Sequence, residues 1–232
     1  MPGYQVKQQH IVIDGTDDLI IRSLLDKQQF SDPLGEAERL GISSAAWPLF
    51  GLVWPSGVQL AALLAARPVR AGERILELGC GLALASLVGH RAGADVTASD
   101  CHPLAAAFIA ENLVLNQLPP MKYRQGHWGA QAASAAPDGG VAQPIVEGRF
   151  DLIIASDVLY ERDEHATLAR YIAQHAGPAA EVWIVDPDRS NRAAFNRQMA
   201  DEGFAMSEER LDKAALGAVA RYKGRVLIYK RA

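Results

Sequence analysis

The stretch that most restricts the fold runs from residue 74 to residue 100 and reads RILELGCGLALASLVGHRAGADVTASD. An apolar strand leads into a Gly-x-Gly turn, a helix of small residues follows, and a second strand ends at Asp100. Short β-rich runs on either side of a helix are typical of parallel strands joined by a crossover. An acidic residue about twenty positions after such a turn suits ribose hydroxyls, so the pattern predicts a ribose-containing ligand.

The same alternation of strand and helix continues along the chain. Further strands are predicted at FDLIIASDV and EVWIVDP, with a weaker one at KYRQGHW, and helices are predicted at 82–92, 103–116, 162–175 and 191–202. We therefore predict an α/β fold, a doubly wound, mostly parallel, seven-stranded Rossmann-like sheet. The final stretch, AVARYKGRVLIYKR, predicts an antiparallel last strand or a hairpin around Lys223-Gly224.

The length of 232 residues suits a single domain, 1–232. We predict a core at 70–232 with a loop insertion at 129–149, which is rich in Ala, Gly and Pro. Residues 1–69 are an N-terminal extension that contains a strand, QHIVID, and a helical stretch at 16–28. The extension is expected to cover either the ligand or the edge of the sheet.

Composition limits the expected partners and location. The formal net charge of −4 gives no overall attraction to nucleic acid, so no nucleic-acid partner is expected. The start, MPGYQVKQQH, lacks the apolar core of a secretion signal, and Cys80 and Cys101 are expected to be free thiols. Pro48 and Pro55 interrupt the uncharged stretch at 41–66, which favours a loop and a short helix over a membrane span. A cytoplasmic protein is predicted.

The nature of the ligand depends on Glu77 and Leu84. A dinucleotide site needs a third Gly or Ala three residues after Gly81, where this chain has Leu84. Glu77, two residues before Gly79, would repel a pyrophosphate and suits a positively charged ligand such as S-adenosylmethionine (SAM). The pattern favours a methyl donor. A nicotinamide or flavin site and a turn without any ligand are the alternatives.

Four motifs resemble those of the class I, seven-β-strand SAM-dependent methyltransferases, and within that group the protein lysine methyltransferase branch. They are LVWPSGVQLA, ILELGCGLALASL, ENLVLN and FDLIIASDVLYE, the last containing an Asp-x-x-Tyr signature. The likeness covers most of the chain. It implies SAM as the cofactor, S-adenosylhomocysteine as the product and a lysine of another protein as the methyl acceptor.

The resemblance also implies which residues bind SAM. The glycine loop and its glutamate would wrap the amino acid part, Asp100 would hold the ribose, and two tryptophans would flank the cofactor. The implied cofactor-binding residues are Trp54, Glu77, Gly79, Cys80, Gly81, Asp100, Trp128 and Ser156.

By the same resemblance, Asp157 and Tyr160 are catalytic. Asp157 would position the acceptor amine, with a secondary role as general base, because a nearby carboxylate stabilises an ammonium ion. Tyr160 would form a wall of the site. The segment WIVDPDRSNRAAF resembles methyltransferases acting on the electron-transfer flavoprotein β subunit, which implies that Asp186 and Arg189 line the substrate side. A plain turn with a helix cap from Asp188 or Ser190 is the alternative for this segment.

Three functions stay open on the sequence. A protein-lysine methyltransferase is favoured, a methyltransferase of small amines or other metabolites is the first rival, and a SAM-binding module without activity is the second. The six histidines lack the spacing of metal ligands, so no metal site is predicted. The motif DVLY lacks the paired prolines of nucleic-acid amino-methyltransferases.

Overall fold

The computed structural model describes residues 3–128, 144–214 and 221–231. Strands and helices alternate as the sequence predicts after an N-terminal hairpin. The strands are β1 (Val6–Ile11), β2 (Leu19–Leu24), β3 (Arg74–Leu78), β4 (Asp95–Asp100), β5 (Lys122–Gln125), β6 (Phe150–Ser156), β7 (Ala176–Asp186), β8 (Phe204–Lys213) and β9 (Tyr222–Arg231). The helices are α1 (Glu36–Arg39), a 3-10 helix (Trp47–Gly51), α2 (Pro55–Ala65), α3 (Leu84–Arg91), α4 (Ala105–Leu115), α5 (Thr167–His175) and α6 (Arg192–Asp201).

The central sheet has seven strands in the order β5-β4-β3-β6-β7-β9-β8. Strands β3 to β7 pair in parallel, and β9 runs antiparallel to both of its neighbours. The predicted fold class, a doubly wound, mostly parallel sheet with an antiparallel last strand, is confirmed.

Both faces of the sheet are buried at its centre, which explains the nearly continuous apolar runs in β3, β6 and β7. In β3, Ile75 packs into the core formed with α2, α3 and α4, whereas Leu76 and Leu78 pack into the core formed with α5 and α6. In β6, Ile153 and Ile154 likewise belong to opposite cores, because successive side chains of a strand point to opposite faces. The carboxyl ends of the parallel strands therefore meet at one edge, between two helical layers.

The predicted helix over 16–28 is wrong, because this stretch contains β2. Leu19 and Ile21 are fully buried while the residues between and after them are partly exposed, which is the two-residue period of a strand. Strand β1 overlaps the predicted strand QHIVID and pairs antiparallel with β2 in a separate two-stranded sheet.

Two asparagines of the ENLVLN motif attach this hairpin to α4. The side-chain amide of Asn112 bonds both N–H and C=O of Arg22, at 2.7 and 3.3 Å, and Asn116 does the same with Ile20, at 2.9 and 2.7 Å. One helical turn of four residues rises about 6 Å, and two strand residues span about 6.8 Å. The two amides therefore match alternate backbone sites along the edge of β2.

The carboxyl-terminal stretch forms an antiparallel last strand, as predicted, but no turn occurs at Lys223-Gly224. Strand β9 continues through both residues. It pairs with β8, a strand that was not predicted from the sequence. A Cβ atom at Gly224 would lie 2.5 Å from the carbonyl oxygen of Asp186. Gly224 thus permits a close approach of β9 to β7 rather than a turn.

The region before β6 is partly described. Residues 129–143 of the predicted insertion lie outside the described residues. The end of the insertion pairs with β5, because Gln125 N–H donates to the Pro144 carbonyl at 2.8 Å. The helix predicted at 162–175 begins only at Thr167. The stretch 41–66 contains the predicted loop and short helix, α2, with a 3-10 helix between them. None of the described helices has the length and apolar character to cross a membrane.

Candidate active site

A cavity of about 1180 Å³ opens at the carboxyl ends of the parallel strands. Its walls come from the glycine loop after β3, the segments after β4, β5 and β6, and residues of the N-terminal extension. It brings together all the site residues predicted from the sequence except Asp186. These are Trp54, Glu77, Gly79, Cys80, Gly81, Asp100, Trp128, Ser156, Asp157, Tyr160 and Arg189.

The two glycines of the loop are required by the backbone and by its surroundings. Gly79 and Gly81 have φ angles of 58° and 52°, a region that strongly favours glycine. A Cβ at Gly81 would lie 2.7 Å from the carbonyl oxygen of Phe50, and one at Gly79 would lie 3.3 Å from the Trp128 ring. Glycine at these two positions therefore lets the loop pack closely against Phe50 and Trp128, which line the same cavity.

Asp100, the last residue of β4, fixes the glycine loop. Its Oδ2 accepts a hydrogen bond from Gly81 N–H and its Oδ1 accepts one from His102 N–H, both at 2.8 Å. Burial raises the pKa of Asp100, and these backbone donors oppose the effect. Cys101 also hydrogen-bonds this carboxyl group through its backbone N–H and its thiol, so fewer of its roughly four acceptor positions are left for ligand hydroxyls.

Glu77 lies on the floor of the cavity, and its residue is only 3 % exposed. Its Oε2 accepts hydrogen bonds from the backbone N–H and the hydroxyl of Ser86, in the first turn of α3. Burial raises the pKa of Glu77 to about 7; Ser86 opposes this rise and the charge of Asp100 adds to it. Glu77 is thus poised to take up or release a proton near neutral pH.

Aromatic side chains form part of the cavity wall beside the loop. Trp54 Nε1–H donates to the Leu49 carbonyl at 2.8 Å, which fixes its ring beside α2. Phe50 stacks on His102 with ring centroids 3.6 Å apart. Burial lowers the pKa of His102 to about 3, against the charge of Asp32, so this ring is neutral.

The sequence left open whether the N-terminal extension covers the ligand or the sheet edge, and Trp54 was the only residue of the extension predicted in the site. Leu40 and Ile42 line the cavity, and the ring of His127 bonds the Leu40 carbonyl at 3.1 Å. The aromatic pair in WPLF, Trp47 and Phe50, was the available signal, since large aromatic side chains ahead of the first core strand indicate packing against the core. Of the two expected roles for the extension, covering the ligand site is the one that these contacts fit.

Asp157 and Arg189 form a bidentate ion pair on the far side of the cavity. Arg189 Nε donates to Asp157 Oδ1 at 2.8 Å, and Nη2 donates to Oδ2 at 3.0 Å. Both residues follow the carboxyl ends of the neighbouring parallel strands β6 and β7. Charged groups of opposite sign at such adjacent ends were a signal for this pair that the sequence reasoning did not use.

The loop after Asp157 is held in place by α6. Asn191 Nδ2 donates to the Leu159 carbonyl at 2.9 Å, and Gln198 Nε2 donates to the Asp163 carbonyl at 2.6 Å. Asp163 in turn accepts a hydrogen bond from Leu168 N–H and caps α5. Tyr160 projects from this loop, is 47 % exposed and lines the cavity.

Asp186 does not line the cavity, which corrects the prediction made from its motif. Its side chain is fully buried, and Oδ1 accepts a hydrogen bond from Arg189 N–H at 2.8 Å. Burial raises the pKa of Asp186. The residue lies beneath the turn and orients Arg189 rather than a substrate.

The residues around the loop fit SAM. A glycine cradle that side chains would fill gives close access to the backbone. Glu77 and Asp100 place two buried carboxyl groups around a ligand that carries a sulfonium and an ammonium. Among the described residues, no group of three His, Cys, Asp or Glu side chains could hold a metal ion.

A sequence model of the family described as lysine methyltransferase matches residues 48–200, which is more than half of the chain. The chain belongs to the lysine methyltransferase family. The lysine methyltransferase of mouse elongation factor EEF1A, "EEF1A lysine methyltransferase 3", is 24 % identical over 75 % of this chain and 69 % of its own length. The zebrafish electron transfer flavoprotein beta subunit lysine methyltransferase is 38 % identical over 62 % of this chain and 51 % of its own length.

The fold of this family member is that of SAM-dependent methyltransferases. Magnesium protoporphyrin IX methyltransferase from Synechocystis, crystallised with SAM, superimposes with a TM-score of 0.55 at 18 % identity, over 76 % of this chain and 78 % of that one. The chain spans about half the length of several of the curated relatives it matches, including the zebrafish protein.

Proposed function

We propose that this chain transfers a methyl group from SAM to a lysine side chain of another protein. The observation that carries the proposal is that Asp157 and Tyr160 line the same cavity as the glycine loop. The donor site and a polar acceptor site are therefore continuous. Membership of the lysine methyltransferase family supports lysine as the acceptor.

The size and the rim of the cavity favour a long, basic acceptor. Its volume of about 1180 Å³ exceeds the range of about 300–1000 Å³ that is usual for one small ligand. Glu161, Asp163 and Glu164 line it beyond Tyr160, with Arg162 as the cation among them. This local excess of negative charge favours a positively charged side chain at the entrance.

The residues act by binding and orientation. Bound SAM supplies a sulfonium-bound methyl carbon, which the amine lone pair attacks as the carbon–sulfur bond breaks, leaving S-adenosylhomocysteine and a methylated ammonium ion. Asp157 accepts a hydrogen bond from the acceptor nitrogen and aims its lone pair. Tyr160 and the extension exclude water from the cavity, which favours the neutral amine over the ammonium ion.

A cytoplasmic location and a protein partner are part of this proposal. The free thiols Cys80 and Cys101 line the donor site, which is compatible with a reducing compartment. The names of the mouse and zebrafish relatives specify protein lysines as their targets, which supports a protein acceptor here.

The test is methyl transfer from tritiated SAM into an extract of host cells that lack this gene. The products are separated by size, and Asp157→Asn serves as the matched variant. We expect a discrete, protease-sensitive band with the wild-type chain and none with the variant, while SAM binding measured by calorimetry is equal for both. Label confined to small molecules would replace the proposal with metabolite methylation, and SAM binding without any label would contradict it.

A further inference from the structure

The ion pair between Asp157 and Arg189 changes the charge that an acceptor amine meets. Both carboxylate oxygens of Asp157 are engaged by the guanidinium fork, and both side chains line the cavity. The side chain of Asp157 is 10 % exposed and that of Arg189 is 39 % exposed. The amine therefore faces a neutralised pair rather than a single negative charge.

Backbone contacts hold both partners of this pair. Asp157 N–H donates to the Val185 carbonyl at 2.9 Å, and Asp157 has a left-handed backbone with φ 54°. Arg189 N–H donates to Asp186 at 2.8 Å, at the end of β7. A non-glycine residue in this conformation persists only where its surroundings fix it, often at functional sites. The pair is thus built into the strand ends and is not a flexible surface contact.

A neutralised carboxylate suits the chemistry of a lysine acceptor. Lysine has an ordinary pKa of about 10.4, and only its neutral form has a free lone pair. A lone carboxylate within about 4–6 Å raises such a pKa by roughly 1–3 units, and each unit lowers the neutral fraction about tenfold. Each oxygen of Asp157 bound to Arg189 still has about one acceptor position for an amine N–H.

We propose that Arg189 is a positioning residue that neutralises Asp157, so that the site receives the acceptor lysine as a neutral amine. This inference rests on the proposed function. Arg189 holds the carboxylate in one orientation and cancels its attraction for the ammonium ion. Asp157 then positions the nitrogen without raising its pKa.

The test is the pH dependence of the methylation rate of the Arg189→Met variant. The rate is measured with saturating tritiated SAM, as label incorporated into the protein band that the wild-type chain labels in the gene-deleted extract. Arg189→Lys keeps the charge without the fork. Arg192→Met is the matched control, because Arg192, the first residue of α6, pairs with Asp188 and does not line the cavity. Initial rates are compared between about pH 6.5 and 10, which approaches the ordinary lysine pKa.

We expect Arg189→Met to lose about tenfold or more in rate at neutral pH and to regain it at alkaline pH, a shift of its profile by about one unit or more. Arg189→Lys should keep the wild-type position of the profile at a lower rate, and Arg192→Met should match the wild type. SAM affinity by calorimetry should be equal in all variants, which shows that they are folded.

A loss of equal size at every pH, or no loss, would overturn the inference and leave Arg189 with a structural role alone. A gain in rate at neutral pH would also overturn it, since it would mean that the acceptor displaces Arg189 from Asp157. In both cases the wild-type chain still labels protein. Absence of label with the wild-type chain at every pH would instead contradict the proposed function, and the inference with it.

Discussion

At the scale of single residues, Asp100 holds the glycine loop and is predicted to bind the ribose of SAM. Its two oxygens accept hydrogen bonds from Gly81 N–H and His102 N–H, so the carboxylate of one strand holds the loop that follows its neighbour in the sheet. Glu77 has a different environment and accepts its hydrogen bonds from Ser86 of α3. Both carboxyl groups line one cavity, but Asp100 holds the glycine loop whereas Glu77 is held by the first turn of α3.

Asp100→Ala should weaken SAM binding about ten- to a hundredfold, because charge-assisted hydrogen bonds to ribose and to the loop are both lost. Isothermal titration calorimetry measures the change. Asp100→Asn keeps one acceptor oxygen, so its SAM affinity should lie between those of the wild type and Asp100→Ala. Affinity equal to that of the wild type in Asp100→Ala would remove this residue from the donor site.

SAM affinity should rise as the pH increases through about 7, because the pKa of Glu77 is about 7 and only its ionised form attracts the cationic ligand. Since burial raises this pKa above its ordinary value, the contribution of Glu77 to folding stability is largest in acid and is lost as the pH rises through about 7. Glu77→Gln should remove both pH dependences. Calorimetry measures the SAM affinity, and urea unfolding measures the stability, of the wild type and Glu77→Gln at several pH values. If Glu77→Gln kept the pH dependence of the wild type, Glu77 would not be the titrating group.

At the scale of elements, the N-terminal hairpin depends on α4 for its position. Asn112 is fully buried and bonds the backbone of Arg22, while Asn116 bonds that of Ile20. These bonds satisfy an edge of β2 that would otherwise be unpaired. The hairpin leads into the segment that covers the cavity, so its attachment bears on the site as well as on stability.

Asn112→Ala should lower the free energy of unfolding by about 1–3 kcal/mol, because it leaves buried backbone groups of Arg22 without partners. The Arg22 amide should also exchange its hydrogen faster than in the wild type. Val114→Ala, an exposed position on the same helix, is the control. Urea unfolding measures the free energy of unfolding, and hydrogen exchange measures the exposure of the Arg22 amide. If Asn112→Ala matched Val114→Ala in both, the Asn112 side chain would not hold the hairpin.

The elements that sequence patterns predicted are those whose environment is local. The alternation from β3 to β7 is visible because the central strands β3, β6 and β7 are apolar on both faces. Strand β2 was mistaken for a helix because its partners lie on β1 and α4, and propensity carries no information about such distant contacts. Strand β8 has a mostly exposed, charged surface, which hides its pairing with β9.

At the scale of the whole molecule, the topology of the sheet assembles the site. The parallel strands β3, β4, β6 and β7 all end at one edge, which brings Glu77, Asp100, Asp157 and Arg189 around one cavity. The motifs predicted which residues would gather there. They did not predict that Arg189 would bind Asp157 or that Asp186 would be buried, because those outcomes depend on side-chain geometry after folding.

The central claim is that the chain methylates a lysine of a protein. Its most direct test is acid hydrolysis of the protein band labelled by tritiated SAM, followed by separation of the methylated amino acids. We expect the label to elute with methylated lysine and to be absent when Asp157→Asn replaces the wild-type chain. Label in methylated arginine, or in no amino acid of the hydrolysate, would contradict it.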